Sequence, residues 1–154
     1  MGQETEDSGT QQVNGANDGS LTHAILGSFF DVYNELGTGF LESVYRRAMA
    51  EVLTERGLCV EQERSVHVHF RGAIIGRFLA DLVVERQVVV ELKAVRSLLP
   101  EHQAQLINYL RASTFEIGLL LNFGRTPELK RLVYSNERKR PLRRTGQAVD
   151  LTSK

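Results

Sequence analysis

Apolar residues return every three or four positions along 21–36. Ile25, Leu26, Phe29, Val32, Tyr33 and Leu36 share one face there, which predicts a helix stopped by Gly37, with Ser20 or Thr22 as its N-cap. A second helix is expected over 40–56, because Leu41, Val44, Tyr45, Ala48, Met49, Val52 and Leu53 form a wide apolar stripe that ends at Gly57. The period then changes. Val66, Val68 and Phe70 alternate with His67 and His69 in a strand over 59–70, and strands over 74–84 and 88–95 follow, with Arg71-Gly72 and Glu85-Arg86-Gln87 as the turns. Pro100 suits the first position of a helix that reaches Ala112. The almost wholly apolar run 117–123 reads as a strand buried on both faces, and a last strand is expected over 130–134. This order predicts an α/β chain of the α+β mixed-sheet kind, with helices flanking a central sheet.

Residues 1–20 break the pattern: they are polar and carry almost no large apolar side chains, so burial cannot offset the entropy of ordering them. The expected organisation is a disordered polar leader over 1–20, one domain over 21–135 and a basic tail over 136–154. A chain of 154 residues with 42% hydrophobic content is large enough for one core. It has no run of eighteen uncharged apolar residues and no charged-then-apolar leader, so a soluble, cytoplasmic protein without a membrane partner is expected. Cys59, the one cysteine, has apolar neighbours and reads as a small core residue.

Nineteen basic and nineteen acidic residues cancel, but they are unevenly spread. Over 124–144, Arg125, Lys130, Arg131, Arg138, Lys139, Arg140, Arg143 and Arg144 face only Glu128 and Glu137, a net charge of +6. Such a segment suits a nucleic-acid backbone, and a solvated tail is the other reading.

Two acids stand on strands that otherwise read as buried. Asp81 lies within Phe78-Leu79-Ala80-Asp81-Leu82-Val83-Val84, and Glu91 within Val88-Val89-Val90-Glu91-Leu92-Lys93-Ala94. An ionised group in a core is costly unless it is paired or bound to metal. If Glu85 to Gln87 form the turn, paired positions set Val84 opposite Val88 and Asp81 opposite Glu91, with Cβ atoms about 5 Å apart. A divalent cation between them would turn repulsion into attraction, and hard carboxylate oxygens without cysteine point to Mg2+ or Mn2+. Lys93 shares the face of Glu91 and can orient a water or neutralise a phosphate; a simple ion pair near a strand end is the alternative. Glu42, at the edge of the stripe of the second helix, is placed to join the metal shell or to complement the helix dipole. On the Pro100 helix, Gln105 and Tyr109 share a face, with His102 one turn earlier, although Tyr109 beside Leu106 and Leu110 also suits a core. A zinc site at His67 and His69 is a third reading, against which both can be ordinary polar-face residues.

Gly39-Phe40-Leu41-Glu42-Ser43-Val44-Tyr45, then Asp81, then Glu91-Leu92-Lys93, then Gln105 to Tyr109, resemble the GxxExxY family of the PD-(D/E)XK nuclease superfamily. The resemblance covers about 21–134, and it departs from the superfamily name in having Ala80 where a proline would precede Asp81. It implies a restriction-endonuclease-like αβββαβ core. It also implies that Glu42, Asp81 and Glu91 hold one or two divalent cations, that Lys93 positions or activates water, and that Gln105 and Tyr109 complete the site. The expected activity is metal-dependent hydrolysis of phosphodiester bonds, in DNA before RNA. The competing class is a catalytically weak or inactive nuclease-fold module that binds nucleic acid or a protein partner. Apolar residues on the first two helices could also serve a homo-oligomer.

Overall fold

The computed structural model describes residues 17–139. It contains α1 (Asn17–Leu36), α2 (Glu42–Glu55), β1 (Val60–Phe70), β2 (Ala73–Val84), β3 (Val88–Lys93), α3 (Pro100–Ala112), β4 (Ile117–Asn122) and β5 (Glu128–Val133), then a single 3-10 turn at Asn136–Arg138. Apart from the start of α1, every element lies within two residues of its expected bounds. Helix α1 begins at Asn17, so Ser20 and Thr22 lie inside it and neither is the N-cap. The helix ends follow from backbone chemistry. Gly37 takes φ 67° and donates to the Tyr33 carbonyl at 2.9 Å; Gly57 takes φ 82°, which lets Leu58 N–H reach back to the Leu53 carbonyl at 3.1 Å. No helix among the described residues is long and apolar enough to cross a membrane.

The five strands form one sheet in the order β1-β2-β3-β4-β5. Neighbours pair antiparallel except β3 with β4, which run parallel and are joined by α3, as a parallel pair requires a crossover. Alternation along the central strands then builds two cores. Leu82, Val84, Val88, Val90, Leu92, Leu119 and Leu121 face α1 and α2, where they meet Ile25, Phe29, Tyr45, Met49 and Leu53. Val83, Val89 and Leu120 face α3, where they meet Leu106, Tyr109 and Leu110. Phe123 ties the first core together: it stacks on Tyr45 at 4.1 Å and meets Phe29 edge-on at 4.8 Å between ring centroids.

Cys59 is a correction to the sequence reading. It is exposed, because it precedes β1 outside both cores. Its backbone has a structural task, described below.

Helix α3 packs tightly on the sheet at Gly118. A Cβ built there would stand 2.9 Å from three atoms of Leu106, whose side chain is fully buried. Gly118→Ala should therefore lift α3 from β4 and cost about 1–3 kcal/mol, read as a lower urea midpoint with an unchanged slope. A midpoint equal to that of the wild type would show that α3 has slack at this contact.

Candidate active site

The β2–β3 hairpin has the register expected from its sequence, with Val84↔Val88, Val83↔Val89 and Leu82↔Val90. No glycine makes the turn. Glu85 and Arg86 both adopt left-handed φ angles, 52° and 53°, and Gln87 N–H closes onto the Val84 carbonyl at 3.0 Å. Cys59 holds this conformation from β1: its carbonyl accepts from Glu85 N–H, and its N–H donates to Glu85 Oε1, each at 2.8 Å.

Beyond Leu82 and Val90 the ladder stops, and side chains take over. Leu92 N–H donates to Asp81 Oδ2 at 2.7 Å, while Asp81 N–H donates to Glu91 Oε1 at 3.3 Å. On its other side, β2 pairs Leu82 with Gln62 and then Ala80 with Arg64; the intervening Glu63 is left-handed at φ 53°. Across this irregularity β2 changes allegiance. Leu82 belongs to the core under α1 and α2, whereas Ala80 belongs to the core under α3. Asp81 and Glu91 thus fill a fork where two strands part.

Burial first, and then repulsion from Asp81, pushes the Glu91 carboxyl up to about 8, with Lys93 opposing. Asp81 is raised too, chiefly by burial; the Leu92 N–H bond and the charges of Lys93 and Arg46 pull the other way. No ion pair within 4.0 Å among the described residues includes either acid. Lys93 Nζ reaches Gln105 Oε1 at 3.5 Å, a long contact that places α3 at the rim of the fork.

Glu42 is exposed in the first turn of α2, and its charge raises the pKa of both fork acids. Tyr45 positions that turn: its hydroxyl donates to the Gly37 carbonyl at 2.7 Å and accepts from Phe40 N–H at 3.3 Å. One turn beyond Glu42, Arg46 pairs with Glu63 at 3.3 Å, and its buried Nε has no hydrogen-bond partner among the described residues. Arg46 was not among the sequence candidates; its signal was the four-residue spacing from Glu42.

The other candidates separate. Tyr109 is 2% exposed and donates to the Arg64 carbonyl at 3.3 Å; burial pushes its phenol up to about 12, with Glu91 contributing. It is a neighbour of the fork whose hydroxyl is engaged by β1. His102 is spent as a helix cap, its Nδ1 accepting from Leu99 N–H at 3.0 Å. Among the described residues, no group of three or more His, Cys, Asp or Glu residues is arranged to hold a metal, so Glu42 does not complete a ready-made triad and the zinc reading for His67 and His69 has no third ligand.

A buried amide missed by the sequence reading, Asn122, fixes the loop after Lys93. It accepts from Val95 N–H at 2.9 Å and donates to the Val95 carbonyl at 2.9 Å and to Glu128 at 3.1 Å. Its only sequence signal was an amide ending an apolar run.

The expected basic patch is not one surface. Lys130 pairs with Leu120, which faces α3, whereas Arg131 pairs with Leu119, which faces α1 and α2. Arg125 is exposed in the β4–β5 loop, and Arg138 lies 4.9 Å from the Tyr134 ring centroid. Lys139 donates to the carbonyls of Ser113 and Phe115 and to Asn136 Oδ1, and burial lowers its pKa. Arg140, Arg143 and Arg144 lie outside the described residues, as do positions 1–16 of the expected leader.

A family model for the PD-(D/E)XK nuclease superfamily matches residues 19–132. The chain belongs to this superfamily. The mixed sheet with its flanking helices is accordingly the restriction-endonuclease-like fold of PD-(D/E)XK proteins. No curated protein and no solved structure matches the chain. The position before Asp81, which gives the superfamily the proline of its name, is Ala80, fully buried under α3.

Both fork acids bind protons more tightly in the folded chain than in the unfolded one. The stability they contribute without a cation is therefore full below the unfolded values, 3.8 for Asp81 and 4.5 for Glu91, and for Glu91 it is lost as pH rises through about 8. In EDTA, the melting temperature should fall across this window. Glu91→Gln should flatten the fall and raise the melting temperature near the top of it, by on the order of 5 °C. A Glu91→Gln protein less stable than wild type there would contradict the repulsion.

Proposed function

We propose that this PD-(D/E)XK chain is a divalent-cation-dependent deoxyribonuclease that hydrolyses phosphodiester bonds at the Asp81–Glu91 fork. The observation that carries this reading is a pair of part-buried carboxylates without an ion-pair partner among the described residues, beside Lys93. Each acid spends one oxygen on the neighbouring strand and keeps the other for a ligand. Two hard carboxylate oxygens, with no third His, Cys, Asp or Glu grouped with them among the described residues, suit Mg2+ or Mn2+; Mg2+ in particular takes one or two carboxylates and keeps several waters. Asp81 and Glu91 would hold the cation, with Glu42 adding charge from the rim.

A cation held by Asp81 and Glu91 would supply Lewis-acid activation of water and charge neutralisation at the leaving oxygen. The protein's own groups do the rest. Lys93 presents an ammonium beside the acids, where it orients the nucleophilic water and offsets negative charge gathering on the phosphate. Gln105 steadies that ammonium from α3. Tyr109, buried against Arg64, supports the wall on which Gln105 stands, and Arg46 limits the excess negative charge around Asp81. Arg125, Lys130 and Arg131, spread over more than one face, add scattered phosphate contacts without sequence preference.

The purified chain should cut DNA with Mg2+ or Mn2+ and stop with EDTA, and RNA provides the comparison. Asp81→Asn and Lys93→Ala should each lower the rate at least about a hundredfold while melting cooperatively. A wild type inert on linear, circular and single-stranded DNA and on RNA would end the enzyme reading, and activity surviving Asp81→Asn would place the chemistry elsewhere.

A further inference from the structure

The β1–β2 arm, the C-terminal half of α3 and the segment after β5 enclose a cleft of about 800 Å3. Arg111, Arg138 and Lys139 line it, and among the described residues no Asp or Glu does. Its floor is apolar, with Val68, Ile75 and Phe78. The inventory of hydrogen bonds is one-sided. Lys139 has all three donors engaged, so it contributes charge alone. The guanidinium groups of Arg111 and Arg138 lie 6.0 and 4.9 Å from the Tyr134 ring centroid but make no hydrogen bond or ion pair among the described residues. Asn108 is likewise unengaged, and His69 Nδ1 is buried without a partner. Unspent donors, no carboxylate and an apolar floor fit a ligand that is anionic along one edge and flat and apolar along another, which describes a nucleotide strand.

Position along α3 narrows the choice. Asn108 and Arg111 stand three and six residues beyond Gln105, about 4.5 and 9 Å of helix rise. That is the scale of one to three nucleotides, at about 3.4 Å per phosphate along one strand. The cleft is of small-ligand size, and a duplex, whose major groove alone is about 12 Å wide, does not enter it.

We propose that this cleft seats a single strand of nucleic acid extending from the Asp81–Glu91 fork, so that the chain acts beside single-stranded segments. The direction from the fork rests on the nuclease reading, whereas occupancy of the cleft is testable without it. The test is fluorescence anisotropy in EDTA with labelled oligothymidylate and with a blunt duplex, on wild type and on a variant carrying both Arg111→Gln and Arg138→Gln. Both side chains are exposed, and a wild-type melting curve confirms the fold. The variant should bind oligothymidylate about tenfold more weakly, with a salt slope lower by about 1.4 for two lost phosphate contacts. Its affinity for the duplex should change less than about twofold. Equal losses on both probes, an unchanged affinity for oligothymidylate, or equal competition by oligoglutamate would overturn the proposal. Arginine-dependent binding of oligothymidylate by a wild type that cuts nothing with Mn2+ would support the cleft and overturn the nuclease reading.

Discussion

Two strands that part must leave backbone groups without partners, and a buried orphan N–H costs free energy comparable to a lost hydrogen bond. At the end of the β2–β3 ladder this constraint is met by carboxylates: Asp81 takes the N–H of Leu92 and Glu91 takes that of Asp81. The same bonds hold two like charges together on a half-buried surface. What completes the sheet therefore also creates a need for positive charge.

The surroundings keep the fork from collapsing. On one face, Phe123 stacks on Tyr45 of α2, and the Tyr45 hydroxyl fixes the turn that presents Glu42 and Arg46. On the other, α3 settles on Gly118, which brings Gln105 within reach of Lys93. Asn122 clamps the chain immediately after Lys93. The acids and the lysine are thus placed by paired strands, with the loop after Lys93 pinned, while the helices set how closely the walls approach.

Much of this was legible in the sequence because periodicity reports burial. The alternation in β3 placed Glu91 and Lys93 on one face, and the three-residue turn set the register that brings Asp81 to Glu91. Elements were legible for the same reason, with Pro100 marking the start of α3. What escaped depends on long-range geometry. Cys59 looked apolar by its neighbours, yet it lies outside both cores and contributes its backbone to the β2–β3 turn. Lys130 and Arg131 are adjacent in sequence, but a strand sends adjacent side chains to opposite faces, so a local charge count overstated one surface. Asn122 and Arg46 act through partners 27 and 17 positions away, which no local window contains.

The latch between Cys59 and Glu85 has a consequence for how the sheet comes together. A hairpin with a favourable glycine turn can form on its own, but the β2–β3 turn uses two non-glycine residues in left-handed conformation, each of which carries a local cost. The compensating bonds come from the residue just before β1, 26 positions away. The β2–β3 register is thus a property of three strands acting as a unit, and the meeting of the acids leans on a residue outside their own hairpin. The hairpin cut away from β1 would carry both acids and lose the bonds that brace its turn.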